Sequence, residues 1–236
     1  MDIKDMFNEE TIGALADAMR TADPGFDRGE FLARVFDPHW PGLELKQRIR
    51  HVTAVLHSLL PEDYGVTLRI LQQAMPKVEG IVQWVFTDYV EAYGVDDWEA
   101  SIPALEEFTE RMSAEFAIRP FIVRYPERTM AQMLAWAGHE SADVRRLASE
   151  GCRPRLPWGI RLQALVADPS PILPILERLK DDPSESVRKS VANNLNDISR
   201  DHPEIVLRLL RGWQKEGGAE IEWIVSHALR TMIKKG

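Results

Sequence analysis

Ser141-Ala-Asp-Val-Arg-Arg146 returns 43 residues later as Ser184-Glu-Ser-Val-Arg-Lys189. Each copy follows a polar loop, Gly138-His-Glu-Ser141 in the first case and Asp181-Asp-Pro-Ser184 in the second. Each opens a stretch whose apolar residues recur at three and four positions, the period of a helix buried along one face. Another helix precedes each copy, marked before the second by Ile172, Ile175, Leu176 and Leu179. A pair of antiparallel helices of this length cannot bury its apolar face alone. Stacked copies share one continuous core.

The same period extends outward. Val66, Ile70, Leu71 and Met75 form one stripe, and Val206, Leu207, Leu209 and Leu210 form another. Helix pairs are expected near 64–75 and 78–93, near 97–111 and 113–124, and near 203–216 and 219–234. Period-two strands are scarce, and Leu60-Pro-Glu-Asp63, Tyr93-Gly-Val-Asp96, Asp201-His-Pro203 and Gly217-Gly218 punctuate the helices. The expected fold is all-α: a right-handed solenoid of HEAT-like repeats in one domain spanning 1–236. Residues 1–60 form a less regular cap, residues 97–235 the most regular repeats, and a concave basic face runs along the solenoid.

One copy of the repeat departs from the other. After Val187 the second helix runs on through Val-Ala-Asn-Asn-Leu-Asn-Asp-Ile-Ser at 191–199. After Val144 the helix meets Glu150-Gly-Cys-Arg-Pro-Arg-Leu-Pro-Trp-Gly159, where two prolines and two glycines stop it. A plain connection does not need two arginines, a tryptophan and a carboxylate in ten residues. A loop that presents cations, a flat ring and an acid to one ligand does.

Bulk properties narrow the function. At 44% hydrophobic and 28% charged residues, the 236-residue chain carries enough apolar side chain for a sizeable core. It has no apolar run long enough to span a bilayer, and its acidic start lacks a signal core, so a cytoplasmic protein is expected. The single cysteine, Cys152, excludes an internal disulfide and reads as a structural thiol without a histidine partner. The six histidines fall outside the spacings of zinc sites, and no glycine-rich phosphate loop occurs, so neither metal nor cofactor is expected. The net charge of −8 hides an asymmetry. Residues 1–110 hold 9 Lys and Arg against 21 Asp and Glu, whereas residues 111–236 hold 20 against 16. Eight arginines and four acids lie between Arg119 and Arg161. A polyanion meets that local field, although solvated helix faces explain the charge count equally well.

Taken together, Glu150-Gly-Cys-Arg-Pro-Arg-Leu-Pro-Trp158, Ser113-Ala-Glu-Phe-Ala-Ile-Arg-Pro-Phe-Ile122 and Val187-Arg-Lys-Ser-Val-Ala-Asn-Asn-Leu-Asn-Asp-Ile198 resemble the DNA alkylation-repair glycosylases of HEAT-like architecture, in particular the AlkC type. The three segments cover most of residues 110–205. Residues 1–100 match in helical character only. The resemblance implies hydrolysis of the N-glycosidic bond of cationic N-alkylated bases, such as 3-methyladenine, in double-stranded DNA. No obligate protein partner is inferred, and a monomer is expected. The resemblance places Glu115, Glu150 and Trp158 on the family's catalytic positions, with glutamate at 150 where aspartate is expected.

The residue types suit that chemistry. Loss of a cationic base leaves positive charge on the deoxyribose, so fixed carboxylates and a placed water count for more than acid catalysis. An indole face attracts a cationic base by about 0.5–2 kcal/mol. Arginines fork onto phosphates, for which Arg119, Arg153 and Arg155 are the first candidates and Arg146, Arg161, Arg188 and Lys189 extend the track. The plainer readings stand beside these: Trp158 packed between helices, Glu115 a solvated helix residue, Glu150 paired with Arg146 one turn away, Trp40 at a DNA groove or simply packed. Two other functions share the scaffold, a HEAT-like module that binds damaged or structured DNA without cleaving it and a protein-binding solenoid.

Overall fold

The computed structural model describes residues 2–233, and among them every regular element is helical. The chain divides into two compact units at Ala117–Ile118.

The first unit contains α1 (Glu9–Ala22), α2 (Arg28–Val35), α3 (Leu45–Leu59), α4 (Tyr64–Ala74), α5 (Trp84–Tyr93) and α6 (Trp98–Thr109). Acidic or amide side chains set where several of them begin. Asn8 caps α1, and Asp27, Asp63 and Asp97 accept from the backbone N–H of Glu30, Val66 and Ala100 at the starts of α2, α4 and α6. Each such cap stabilises its helix by about 1 kcal/mol. α1 packs on α2 and α4, α3 on α2 and α5, and α6 on α4 and α5, around Met19, Phe31, Leu56, Leu71, Phe86 and Phe108. The helix expected from 78 begins at Trp84 instead. Gly80 sits at φ 78°, and Ile81–Gln83 form a 3-10 turn before the α-helix starts. Trp40 lies in the core, packed edge-on to Phe36 and beneath the Arg48 guanidinium, so it offers no ring to a groove.

The second unit contains α7 (Arg119–Arg124), α8 (Pro126–Trp136), α9 (Ala142–Glu150), α10 (Gln163–Ala167), α11 (Leu173–Leu179), α12 (Glu185–Ile198), α13 (Pro203–Glu216) and α14 (Ala219–Ile233). The helix expected over 113–124 covers only its last turns, because Pro120 lacks an N–H and fits only the first turn of a helix. α13 spans its expected range. α14 starts where expected, and position 234 lies outside the described residues. α9 packs on α8 and α11, α12 on α9 and α11, and α14 on α12 and α13. The apolar stripes read from the sequence line this core: Val144, Leu147, Ile172, Ile175, Leu176, Val187, Val191 and Leu195 are buried.

The two copies of the repeat share one polar contact, an arginine Nη1 on two carbonyls of the preceding loop. Arg145 Nη1 donates to the carbonyls of His139 and Glu140 at 3.0 and 2.7 Å. One repeat on, Arg188 Nη1 donates to those of Asp182 and Pro183 at 2.6 and 3.0 Å. Arg145 also grips Asp182 through Nε at 2.6 Å and Nη2 at 3.0 Å, tying the first copy of the repeat to the second.

Candidate functional site

α9 ends at Glu150, five residues short of where its counterpart α12 ends by the 43-residue offset. Pro154 cannot donate a helical hydrogen bond, and Gly151 fits a place where a side chain does not. A Cβ there would come within 2.6 Å of Ile118 Cγ2 and 2.9 Å of Met133 Cε. The chain then leaves the helix as a loop over 151–162. Its backbone closes on itself through Gly159 N–H to Leu156 O and Leu162 N–H to Pro154 O, both at 3.2 Å.

Trp158 stands at the outer turn of this loop. It is 65% exposed, and its φ of 63° makes it the one non-glycine residue with positive φ among the described residues. The left-handed region costs a residue with a Cβ about 1–2 kcal/mol. A packing role between helices is excluded by the exposure, and the surrounding structure must hold the strained backbone.

Much of that hold comes from a residue expected on phosphates. Arg119 is fully buried. Its Nη1 donates to Gly151 O at 2.8 Å and Arg153 O at 2.9 Å, its Nε donates to Ile160 O at 2.8 Å, and its Nη2 donates to the same Ile160 oxygen. Burial pushes its pKa down to about 10, still well above neutrality. The DNA-contact expectation for Arg119 is therefore corrected: its donors are spent on loop carbonyls inside the protein.

Arg153 is corrected for the same reason. It is buried, with Nη1 on Glu150 Oε1 at 2.6 Å and Nε on Asp197 Oδ2 at 2.9 Å. Burial opposes its charge, but Glu150 and Asp197 outweigh burial and raise its pKa. Glu150, 6% exposed, spends its other oxygen on Ser190 Oγ at 2.6 Å. It is turned inward, and its ion-pair partner is Arg153, three residues along the chain, rather than an open cleft. Ser149 Oγ and the Asn194 amide extend the network beneath the loop. Cys152 is fully enclosed by it, and burial pushes the thiol pKa up to about 12, so it is inert at neutral pH.

The remaining candidates are nearer the surface. Arg155 is half-buried and grips Asp201 with Nε at 2.9 Å and Nη2 at 2.8 Å. Arg188 is half-buried on its loop carbonyls, Arg146 is half-buried, and Arg161 and Lys189 are exposed. Glu115 belongs to the first unit, in the turn after α6, where it is half-buried and accepts a hydrogen bond from Ser113 Oγ. Residues missed from sequence are Ser190, Asp197 and Asp201. A usable signal existed, since they lie 40, 44 and 46 positions from Glu150, Arg153 and Arg155, about one repeat ahead.

Stacked helix pairs, inter-repeat arginine ties and a loop replacing the end of one second helix define a HEAT-like repeat protein. The HEAT repeat pattern matches residues 172–202. The protein YhaZ of Bacillus subtilis (strain 168) is 48% identical over 235 residues, which is all of this chain and 66% of that one. The structure of Pseudomonas fluorescens alkylpurine DNA glycosylase AlkC, bound to DNA containing an abasic site analog, aligns with a TM-score of 0.93 at 45% identity. That alignment covers 99% of this chain and 65% of the other. AlkD2 from Streptococcus mutans shares the fold, with a TM-score of 0.52 at 19% identity over 94% of this chain and 97% of that one. The chain thus spans about two thirds of the length of YhaZ and of AlkC. Its fold is that of HEAT-like repeat proteins, and over nearly its whole length it is similar to AlkC.

Proposed function

We propose that the chain is a DNA glycosylase that hydrolyses the N-glycosidic bond of cationic N-alkylated purines, 3-methyladenine among them, in double-stranded DNA. The observation that carries this reading is the exposed, left-handed Trp158 on the loop that interrupts the repeat. The 45% identity to AlkC over nearly the whole chain supports it.

In this reading the indole face meets the cationic lesion, with the attraction growing as water is displaced. Glu115 is the carboxylate proposed to carry negative charge toward the sugar as the base leaves, because its side chain retains exposed surface. Glu150 was expected to share that task. As a partner of Arg153 its charge is neutralised locally, so we assign it to holding the loop. Arg146, Arg161 and Lys189 are the proposed phosphate contacts. The organisation proposed with this function is one continuous domain over 1–236, working as a cytoplasmic monomer without cofactor. Among the described residues no helix is long and apolar enough to cross a membrane.

The test is release of 3-methyladenine from methylated duplex DNA by the pure protein. Trp158→Ala is expected to slow it about 30-fold, the equivalent of a cation–π contact of about 2 kcal/mol. Absence of base release by the wild type would overturn the reading. The inward-turned Glu150 favours one alternative, a module that binds damaged DNA without cleaving it. Binding that weakens steeply with salt and releases no base would select that alternative.

A further inference from the structure

We infer that Arg119 is the positioning residue for the Trp158 indole: carbonyls on both sides of Trp158 clasp its guanidinium, which fixes the backbone in the left-handed region and points the ring outward. The inference rests on the proposed function only for what the indole touches. The mounting itself belongs to the chain without DNA.

Three features carry it. The carbonyls of Gly151 and Arg153 precede Trp158 and that of Ile160 follows it, so the loop leaves one buried cation and returns to it. Gly159 closes over the same group: a Cβ there would lie 3.0 Å from Arg119 Nε and 3.2 Å from Cδ. A side chain next to the strained position would therefore press on the Arg119 side chain, and the loop lies directly on it. Arg153, whose carbonyl Arg119 holds, is fixed from the far side by Glu150 and Asp197, so the near end of the loop cannot drift. With both ends held, the strain at Trp158 cannot relax by sliding the loop. A lysine at 119 brings one nitrogen on a flexible stem and cannot match a planar fork spread over three carbonyls.

The experiment is amide hydrogen exchange on the full chain without DNA, comparing wild type, Arg119→Lys and Gly159→Ala, each with and without Trp158→Gly. Gly159→Ala covers the case in which Arg119→Lys fails to fold. The Gly159 and Leu162 amides close the loop and are expected to exchange about tenfold faster in either single variant, while α12 keeps its protection. Trp158→Gly, which removes the strain without touching Arg119, is expected to restore part of the lost protection. Unchanged exchange at these amides, loss spread equally into α12, or no restoration by Trp158→Gly overturns the inference. On methylated DNA, Arg119→Lys is expected to lower kcat and leave KM unchanged; a raised KM at constant kcat also overturns it. If the wild type releases no base, the functional reading fails while the exchange result still decides the mounting.

Discussion

Replacing Glu150 by glutamine separates the charge of this side chain from its shape. The buried neighbourhood beneath the loop holds two carboxylates, Glu150 and Asp197, and two guanidinium groups, Arg119 and Arg153, which balance. Glutamine leaves that group with one excess positive charge. Its oxygen still accepts from Arg153, and its amide donates to Ser190, whose hydroxyl can turn to accept. The Arg153 contact keeps its charged donor, whereas the Ser190 contact falls from a charge-assisted hydrogen bond worth about 1.5–3 kcal/mol to a neutral one worth about 0.5–1.5 kcal/mol, so the expected loss is about 1 kcal/mol. Alanine removes both contacts and leaves Arg153 to Asp197 alone. That is the removal of one partner from a buried pair, with an expected cost of about 3–5 kcal/mol. Urea unfolding followed by far-ultraviolet circular dichroism should rank wild type above Glu150→Gln and Glu150→Ala lowest. Melting points should move about 2–4 °C for each kcal/mol in a chain of this length. Equal stability of all three proteins would refute the reading of Glu150 as a buried partner of Arg153. It would return the residue to the candidates for direct contact with a ligand.

Further outcomes follow from the same geometry. Gly151→Ala forces a methyl group against Ile118 and Met133 and should cost about 1–3 kcal/mol in urea unfolding. Asp182→Ala removes two charge-assisted bonds from Arg145, which keeps its loop carbonyls, and should cost about 1.5–3 kcal/mol, read as a lower urea midpoint. Cys152 should resist a thiol-specific disulfide reagent at pH 8 in the native protein and react fully in denaturant. Its folded pKa is raised, so the native thiol stays protonated while the unfolded one ionises above about 9. The stability margin of wild type over Cys152→Ala should therefore narrow as pH rises from about 9 toward about 12. A margin independent of pH would mean that the thiol is not sealed in the fold.

Much of this protein was legible in its sequence because the signals were local or periodic. Apolar residues three and four apart marked the helices whatever their neighbours were. The loops at 60–63 and 93–96 marked breaks between helices, and the caps at Asp63 and Asp97 lie at those breaks because a cap acts on amides two or three residues away. The 43-residue recurrence specified a repeat, and the loop at 150–159 stood out because its counterpart at 191–199 continued as helix. The left-handed turn at Trp158 was not legible, since tryptophan has no preference for that backbone and only its surroundings enforce it.

The fate of the arginines was settled in three dimensions. Arg119, Arg153 and Arg161 look alike along the chain, each a cation in an arginine-rich stretch. Arg119 is enclosed because carbonyls 32, 34 and 41 positions away converge on it. Arg153 is enclosed because Asp197, one repeat further on, meets it, while Arg161 remains at the surface. Composition determined that this half of the chain would carry positive charge. Which of those charges face a ligand and which hold the backbone depended on burial, and burial is set by packing between repeats that no local stretch of sequence contains.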